Sequence, residues 1–296
     1  MALFAQLSAI ICPIFICAAI GFFWKKTGQG LDPDLVTTLV YKISVPCLII
    51  ATFSKVVVTP QALASLGLAS IFLLILNGIL GALLLRIFRL PFPSYLPAMT
   101  FSLVGSMGLP VCLFAYGEEG LAHGLVVFTI TSIGTFTVGA ALAAGKGSVD
   151  KLLKEPAIWA ALAAILMIWT EWKLPVWMSN TSWLLGGIAI PLQLISLGAS
   201  LAQFEVGSLG RALGLTIVKL GLGFGLGFSL AELFGLSGIP RAVLILQATM
   251  PVAVSNYMFA VIYKREPTEV AAMVIVSTAI AAISLPLILA WLLTGG

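Results

Sequence analysis

Two short stretches interrupt an otherwise apolar sequence, and both carry groups able to hold a charged solute. The first is Gly105-Ser106-Met107-Gly108-Leu109-Pro110-Val111. The second is Thr249-Met250-Pro251-Val252-Ala253-Val254-Ser255-Asn256. Each lies inside a run apolar enough for a helix. Interior proline removes a helical hydrogen bond and clashes with the carbonyl four residues back, and glycine weakens the helix further. Each stretch therefore predicts a broken helix whose second half starts near Pro110 or Pro251, a position that suits proline. N–H groups and the positive dipole end at such a start favour an anion. The unwound carbonyls favour a cation. The candidate binding residues are Gly105, Ser106, Gly108, Pro110, Val111, Thr249, Pro251, Val252, Ser255 and Asn256. Gln193 and Gln247 add buried amides, and Lys42 adds a cation. The plainer alternative is a pair of kinked helices, since proline is common in membrane spans.

The elements that must position these residues follow from composition. Sixty percent of the 296 residues are hydrophobic and 9% are charged, against about 25% charged in soluble domains. So little charge cannot solvate the surface of a soluble fold, and disorder requires low hydrophobicity. An all-α membrane protein remains. At about 20 apolar residues per crossing, ten spans are expected. They are placed at 5–24, 34–54, 63–86, 94–116, 121–144, 156–171, 181–203, 211–234, 239–262 and 268–293. No cleavable signal peptide is expected, because residues 1–23 lack a basic start. The four cysteines lie in apolar runs, so neither a disulfide framework nor a zinc site is expected.

Charge placement predicts orientation through the positive-inside rule. Ten basic residues (Lys25, Lys26, Arg86, Arg89, Lys146, Lys151, Lys154, Arg211, Lys264, Arg265) fall in one set of alternating loops. Three (Lys55, Lys173, Arg241) fall in the other. Both termini are therefore expected outside the cytoplasmic membrane. The net charge of +4 serves topology; no basic patch with interleaved aromatics suggests nucleic acid.

Ten spans with both termini on one side fit two five-span copies, the second inverted, as in many transporters. Five of the eight first-half prolines find a partner 141–145 residues later: Pro13/Pro156, Pro33/Pro175, Pro46/Pro191, Pro97/Pro240 and Pro110/Pro251. Chance predicts roughly two such matches at ordinary proline frequency. The expected organisation is residues 1–144 as the first repeat, 145–153 as a cytoplasmic linker and 154–296 as the second repeat.

All eleven Asp and Glu residues map to loops or helix ends, which disfavours metal-dependent membrane enzymes, intramembrane aspartyl proteases and a mid-membrane carboxylate relay. His123 is read as an interfacial residue, with pH sensing beside Glu118 and Glu119 as the minor reading. Lys42 and Lys219 lie within spans and are read first as snorkelling ammonium groups. The sharper use is attraction of an anion or a coupling role, and Lys42, one turn from Pro46, is preferred for it. Glycines 221, 223, 225 and 227 are expected to permit close helix packing.

GSMGLPV in span four and ATMPVAVSNYMFAVIY in span nine resemble the auxin efflux carrier family, as do Ser44-Val-Pro46, Lys154-Glu-Pro156 and Val276-Ser-Thr278 leading to Leu285-Pro286. The resemblance covers nearly the whole chain. It implies a ten-helix, five-plus-five inverted-repeat fold with broken crossover helices four and nine. It also implies a transport domain moving against a scaffold by alternating access, a small organic anion (carboxylate) as substrate, and allows a homodimer. Where many members carry an asparagine seven residues before the span-four proline, this chain has Leu103, with Ser102 and Ser106 the nearest polar side chains. No catalytic residue, metal ligand or cofactor is expected, Na+ and H+ being the candidate coupling ions. The alternatives are a sodium-coupled bile-acid-type symporter, a drug/metabolite exporter of the same plan, and a non-transporting membrane sensor.

Overall fold

A computed structural model describes residues 2–28, 33–55, 60–144, 156–170, 172–205 and 207–294. The expected linker 145–153, with Lys146 and Lys151, lies outside these residues, as does Lys154. The described chain is helical: α1 Ala2–Lys26, α2 Pro33–Leu39, α3 Val45–Lys55, α4 Pro60–Ile87, α5 Phe92–Thr100, α6 Leu109–Gly134, α7 Ala140–Ala144, α8 Pro156–Thr170, α9 Val176–Gly186, α10 Ala189–Leu201, α11 Leu209–Leu233, α12 Gly238–Ala248, α13 Val254–Ile262 and α14 Pro267–Leu293. Three π-helical turns, Val40–Ser44, Val104–Gly108 and Thr135–Gly139, join α2 to α3, lead into α6 and join α6 to α7.

Among the described residues, six stretches are long and apolar enough to cross a bilayer: Phe4–Lys26, Gln61–Ile87, Val104–Ala144, Val176–Leu201, Leu209–Leu233 and Pro267–Leu293. Two shorter apolar helices are Pro156–Thr170 and Gly238–Ala248. The 41-residue stretch contains the expected boundary between spans four and five. Gly117 breaks it with φ 65° and ψ −155°, a conformation that glycine adopts without a Cβ penalty. Beyond the break the chain doubles back. Gly124 lies against Leu109 and Cys112, which a straight helix would hold about 18 Å or more away.

Two sets of helices form. In one, α1 packs along α10, and α3 packs against α8 and α9. Gly21 and Gly198 let the first pair touch backbone to backbone, since a Cβ at either would overlap the Ile195 or Ala18 carbonyl oxygen. In the other set, α11 packs against α4, α12 and α14, while α6 packs against α4 and α12. Apolar clusters join the sets: one includes Met107 and Val111 with Leu194 and Leu197 of α10, and another includes Leu109 with Ala189.

His123 departs from expectation. It is 1% exposed. Its Nδ1 lies 2.9 Å from the Glu119 carbonyl oxygen, while Nε2 is buried without a partner. The reversal at Gly117 folds the start of the second arm back onto the first part of α6 and buries it inside the protein.

Candidate functional site

The backbone is extended between α5 and the π-helical turn Val104–Gly108, and again between α12 and α13. The first, residues 101–103, lies just before the expected stretch 105–111, which is itself helical; the second falls within 249–256. The helices therefore restart at Val104 and Val254 rather than near Pro110 and Pro251, and the two extended segments meet. Ser102 and Val252 form an antiparallel bridge. The Leu103 N–H donates to the Pro251 carbonyl at 2.7 Å, and the Ala253 N–H donates to the Phe101 carbonyl at 3.3 Å. An unwound backbone in a membrane interior must find partners, and side chains supply the remainder. Asn256 Nδ2 donates to the Phe101 carbonyl at 3.1 Å. Ser277 Oγ accepts from the Val252 N–H at 3.0 Å. Lys219 Nζ donates to Ser102 Oγ at 2.7 Å and to the Met250 carbonyl at 3.3 Å.

A cavity of about 380 Å³ lies against this junction. Its walls include Ser102–Ser106 from the first break and Ala253, Val254 and Ser255 from the second. Across from them stand Val36, Val40 and Tyr41 and, on and beyond α10, Gln193, Ser196, Ser200, Gln203 and Phe204. Phe128, Thr131, Ser132, Thr135 and Phe136 complete one side, and Tyr257, Phe259 and Ile262 another. The cavity thus separates the two helix sets and touches all three π turns. Aromatic rings contact one another along it: Tyr41 stacks on Phe128 at 6.5 Å and meets Phe136 edge-on at 5.6 Å, and Phe136 meets Phe259 at 6.2 Å.

Among the described residues, the lining carries hydroxyls and amides and no charged side chain. Gln193 is 6% exposed, and neither its Oε1 nor its Nε2 has a partner. An unpaired buried amide is costly, so a side chain held this way is poised for a polar solute. The helix starts at Val104 and Val254 face the same space. The first N–H groups of a helix lack intrahelical acceptors. The arrangement suits a solute with an acidic head and a body that tolerates aromatic contact.

The candidate residues fall into three groups. Gly105, Ser106, Gln193 and Ser255 line the cavity. Pro251, Val252 and Asn256 build the junction, and Asn256 Oδ1 is buried without a partner. Gly108, Pro110, Val111, Thr249 and Gln247 lie behind it. A Cβ at Gly108 would overlap the Gln247 amide, and one at Gly105 would crowd the Phe128 ring and Gln193 Oε1. Thr249 spends its hydroxyl on the Ile245 and Leu246 carbonyls. Gln247 Oε1 is unpaired beside a void of about 10 Å³ lined also by Asn77, Thr100, Ser102 and Thr131, space for one water. Lys42 is exposed on its π turn and does not line the cavity.

Sequence reasoning missed Lys219 and Ser277 as partners of the junction. Lys219, read as snorkelling, is 3% exposed. A signal was present: Lys219, Gly223 and Gly227 recur at every fourth position and share a helix face. Both glycines press on α12 backbone, so the lysine between them and the break must be buried. Among the described residues, no group of three His, Cys, Asp or Glu side chains could hold a metal ion.

Comparison with known proteins gives a consistent picture. Residues 142–289 match the family described as membrane transport protein. A protein of Methanocaldococcus jannaschii named as an uncharacterized transporter is 27% identical over 291 residues, covering 91% of this chain and 93% of the relative. A second uncharacterized transporter, from Methanothermobacter thermautotrophicus, is 28% identical over 190 residues, covering 62% of each chain.

Proposed function

The chain belongs to the membrane transport protein family, which includes the auxin efflux carriers, and from that premise we propose that it carries small organic anions across the cytoplasmic membrane by alternating access. The observation that carries this reading is the pair of joined helix breaks opening onto a cavity of about 380 Å³ between two helix sets. Two helix starts offer N–H groups and positive dipole ends to the anion. Gln193 and the surrounding hydroxyls orient its carboxylate.

Ten crossings arranged as an inverted repeat support the mechanism. The 41-residue apolar stretch would span about 60 Å as one helix, twice a hydrocarbon core of about 30 Å, and Gly117 divides it. Residues α12 to α13 and α5 to the first part of α6 each make one interrupted crossing. The α4–α7 and α11–α14 set is the moving body, and the α1–α3 and α8–α10 set is the scaffold. The cavity reaches from the breaks to Gln203, Phe204 and Ile262, beside the Arg211 and Lys264–Arg265 loops. By the positive-inside rule this end is cytoplasmic, so the conformation is inward-facing. Leu109, Met107 and Val111, packed on α10, close the opposite side. Na+ and H+ stand as the candidate coupling ions, and the lipid-exposed tryptophans of α8 and α9 leave room for a homodimer.

The test is flux in proteoliposomes containing the purified protein, using labelled mono- and dicarboxylates with imposed sodium, proton and voltage gradients. Saturable uptake of an acid supports the carrier. Saturable binding of an acid without flux in either direction overturns it and favours the sensor.

A further inference from the structure

Resting on the carrier reading, we propose that Lys219 is a built-in counter-cation of the junction, standing where a free alkali cation would otherwise neutralise the broken helices. Three observations converge on it. Its ammonium bonds both breaks at once, through Ser102 Oγ of the first and the Met250 carbonyl of the second. It is 3% exposed, and no ion pair among the described residues involves it; those present are Arg211–Glu269 and Arg241–Glu232. It is also absent from the cavity lining, so it acts from behind the junction and leaves the cavity free.

The helix geometry explains why a cation belongs there. α5 ends at Thr100 and α12 ends at Ala248, so two helix C-termini converge on the breaks. Each C-terminus carries roughly −0.5 elementary charge, and the two together match one ammonium. Unwound carbonyls and half-helix C-terminal ends are where carriers with broken helices coordinate sodium. Here the Lys219 ammonium takes that duty, tethered to α11. The opposite, positive ends, at Val104 and Val254, face the cavity, whose lining carries no charged side chain among the described residues. The junction is therefore polarised: neutralised behind, electropositive in front. That asymmetry selects an anion and requires no bound sodium.

Thermal unfolding of the purified protein tests the electrostatic part without any organic substrate. Melting temperature is measured in sodium, potassium, methylammonium and N-methylglucamine chloride at equal ionic strength. The wild-type protein should melt at one temperature in all four. Lys219→Ala should melt lower in N-methylglucamine and recover saturably with sodium or methylammonium. Lys219→Arg should hold near wild type, and Lys219→Met should stay low in every salt. Flux supplies the second arm. Wild-type uptake in sodium and in N-methylglucamine should agree within about twofold, and Lys219→Met should lose about tenfold or more. A wild-type melting temperature that rises saturably with sodium overturns the proposal, as does Lys219→Met melting and transporting like wild type. If Lys219→Ala fails to fold in every salt, the four-salt comparison on wild type and Lys219→Arg decides. Absence of flux for every acid would sink the carrier reading and leave the melting comparison to judge Lys219.

Discussion

Replacing Gly223 by alanine probes how α11 supports the second break. Gly223 lies against the Ala248 carbonyl and the Thr249 Cα, and Gly227 lies against Ile245 Cα and Ala248 Cβ. A Cβ at 223 would overlap the Ala248 carbonyl oxygen, a backbone atom that cannot rotate away. Restoring an ordinary contact requires α11 to retreat on the order of 1 Å. Overpacking of this kind costs about 1–3 kcal/mol, offset by the roughly 0.5–1 kcal/mol that alanine gains over glycine in a helix. A net loss of about 1–2 kcal/mol follows. Gly221 and Gly225 provide the internal comparison. Both are exposed on the same helix, and a Cβ at either meets nothing within 4 Å. Alanine there should be neutral or gain up to ~1 kcal/mol. At 2–4 °C per kcal/mol for a chain of this size, Gly223→Ala should melt roughly 2–12 °C below Gly221→Ala. The assay is loss of monodisperse protein after stepwise heating in one detergent. Equal melting of Gly223→Ala and Gly221→Ala would refute the close approach of α11 to α12.

Gln193→Leu should melt within about 1 kcal/mol of wild type or above it, because the amide is unpaired in the fold, while anion affinity falls about tenfold; a drop in stability with unchanged affinity would make the residue merely structural. Asn256→Ala removes a donor to the Phe101 carbonyl and should cost about 1–2 kcal/mol and most of the flux, read by melting and uptake together; uptake at the wild-type rate would separate the junction from transport. In a background without the four native cysteines, a cysteine placed in 145–153 should react with an impermeant maleimide from the cytoplasm alone, and labelling of intact cells from outside would reverse the proposed topology.

How much was legible before the structure depended on the length scale of the physics. Helical character followed from composition, because apolar runs near 20 residues have few other outcomes in a membrane. That two helices would be interrupted was legible, since proline and glycine act on the backbone locally; the restarts at Val104 and Val254 were not, because they depend on pairing between the two segments. Gly117 was placed in a loop by position alone, and its left-handed conformation divides the stretch there. What the two breaks do to each other was not legible. The partners of Val252 and Ser102 are Ser277 and Lys219, residues 25 and 117 positions away, and no local rule links them. The glycine run at 221–227 was read as uniform packing. The structure divides it by helical phase: 223 and 227 pack, and 221 and 225 face outward. The burial of His123 inside the protein was not legible, because it depends on the reversal at Gly117.

The junction also has consequences for how the chain is made. Asn256 follows Phe101 by 155 positions, and the bridge partners of Ser102 and Leu103 lie nearly as far downstream. At 5–20 residues per second, translation needs roughly 8–30 s to bring the second break after the first. During that interval the first break has entered the membrane with its Phe101 carbonyl and Leu103 N–H lacking their final partners. Such groups are expensive in hydrocarbon, so the half-made protein must borrow partners from water or from the insertion machinery. Arrival of the second break then supplies those partners.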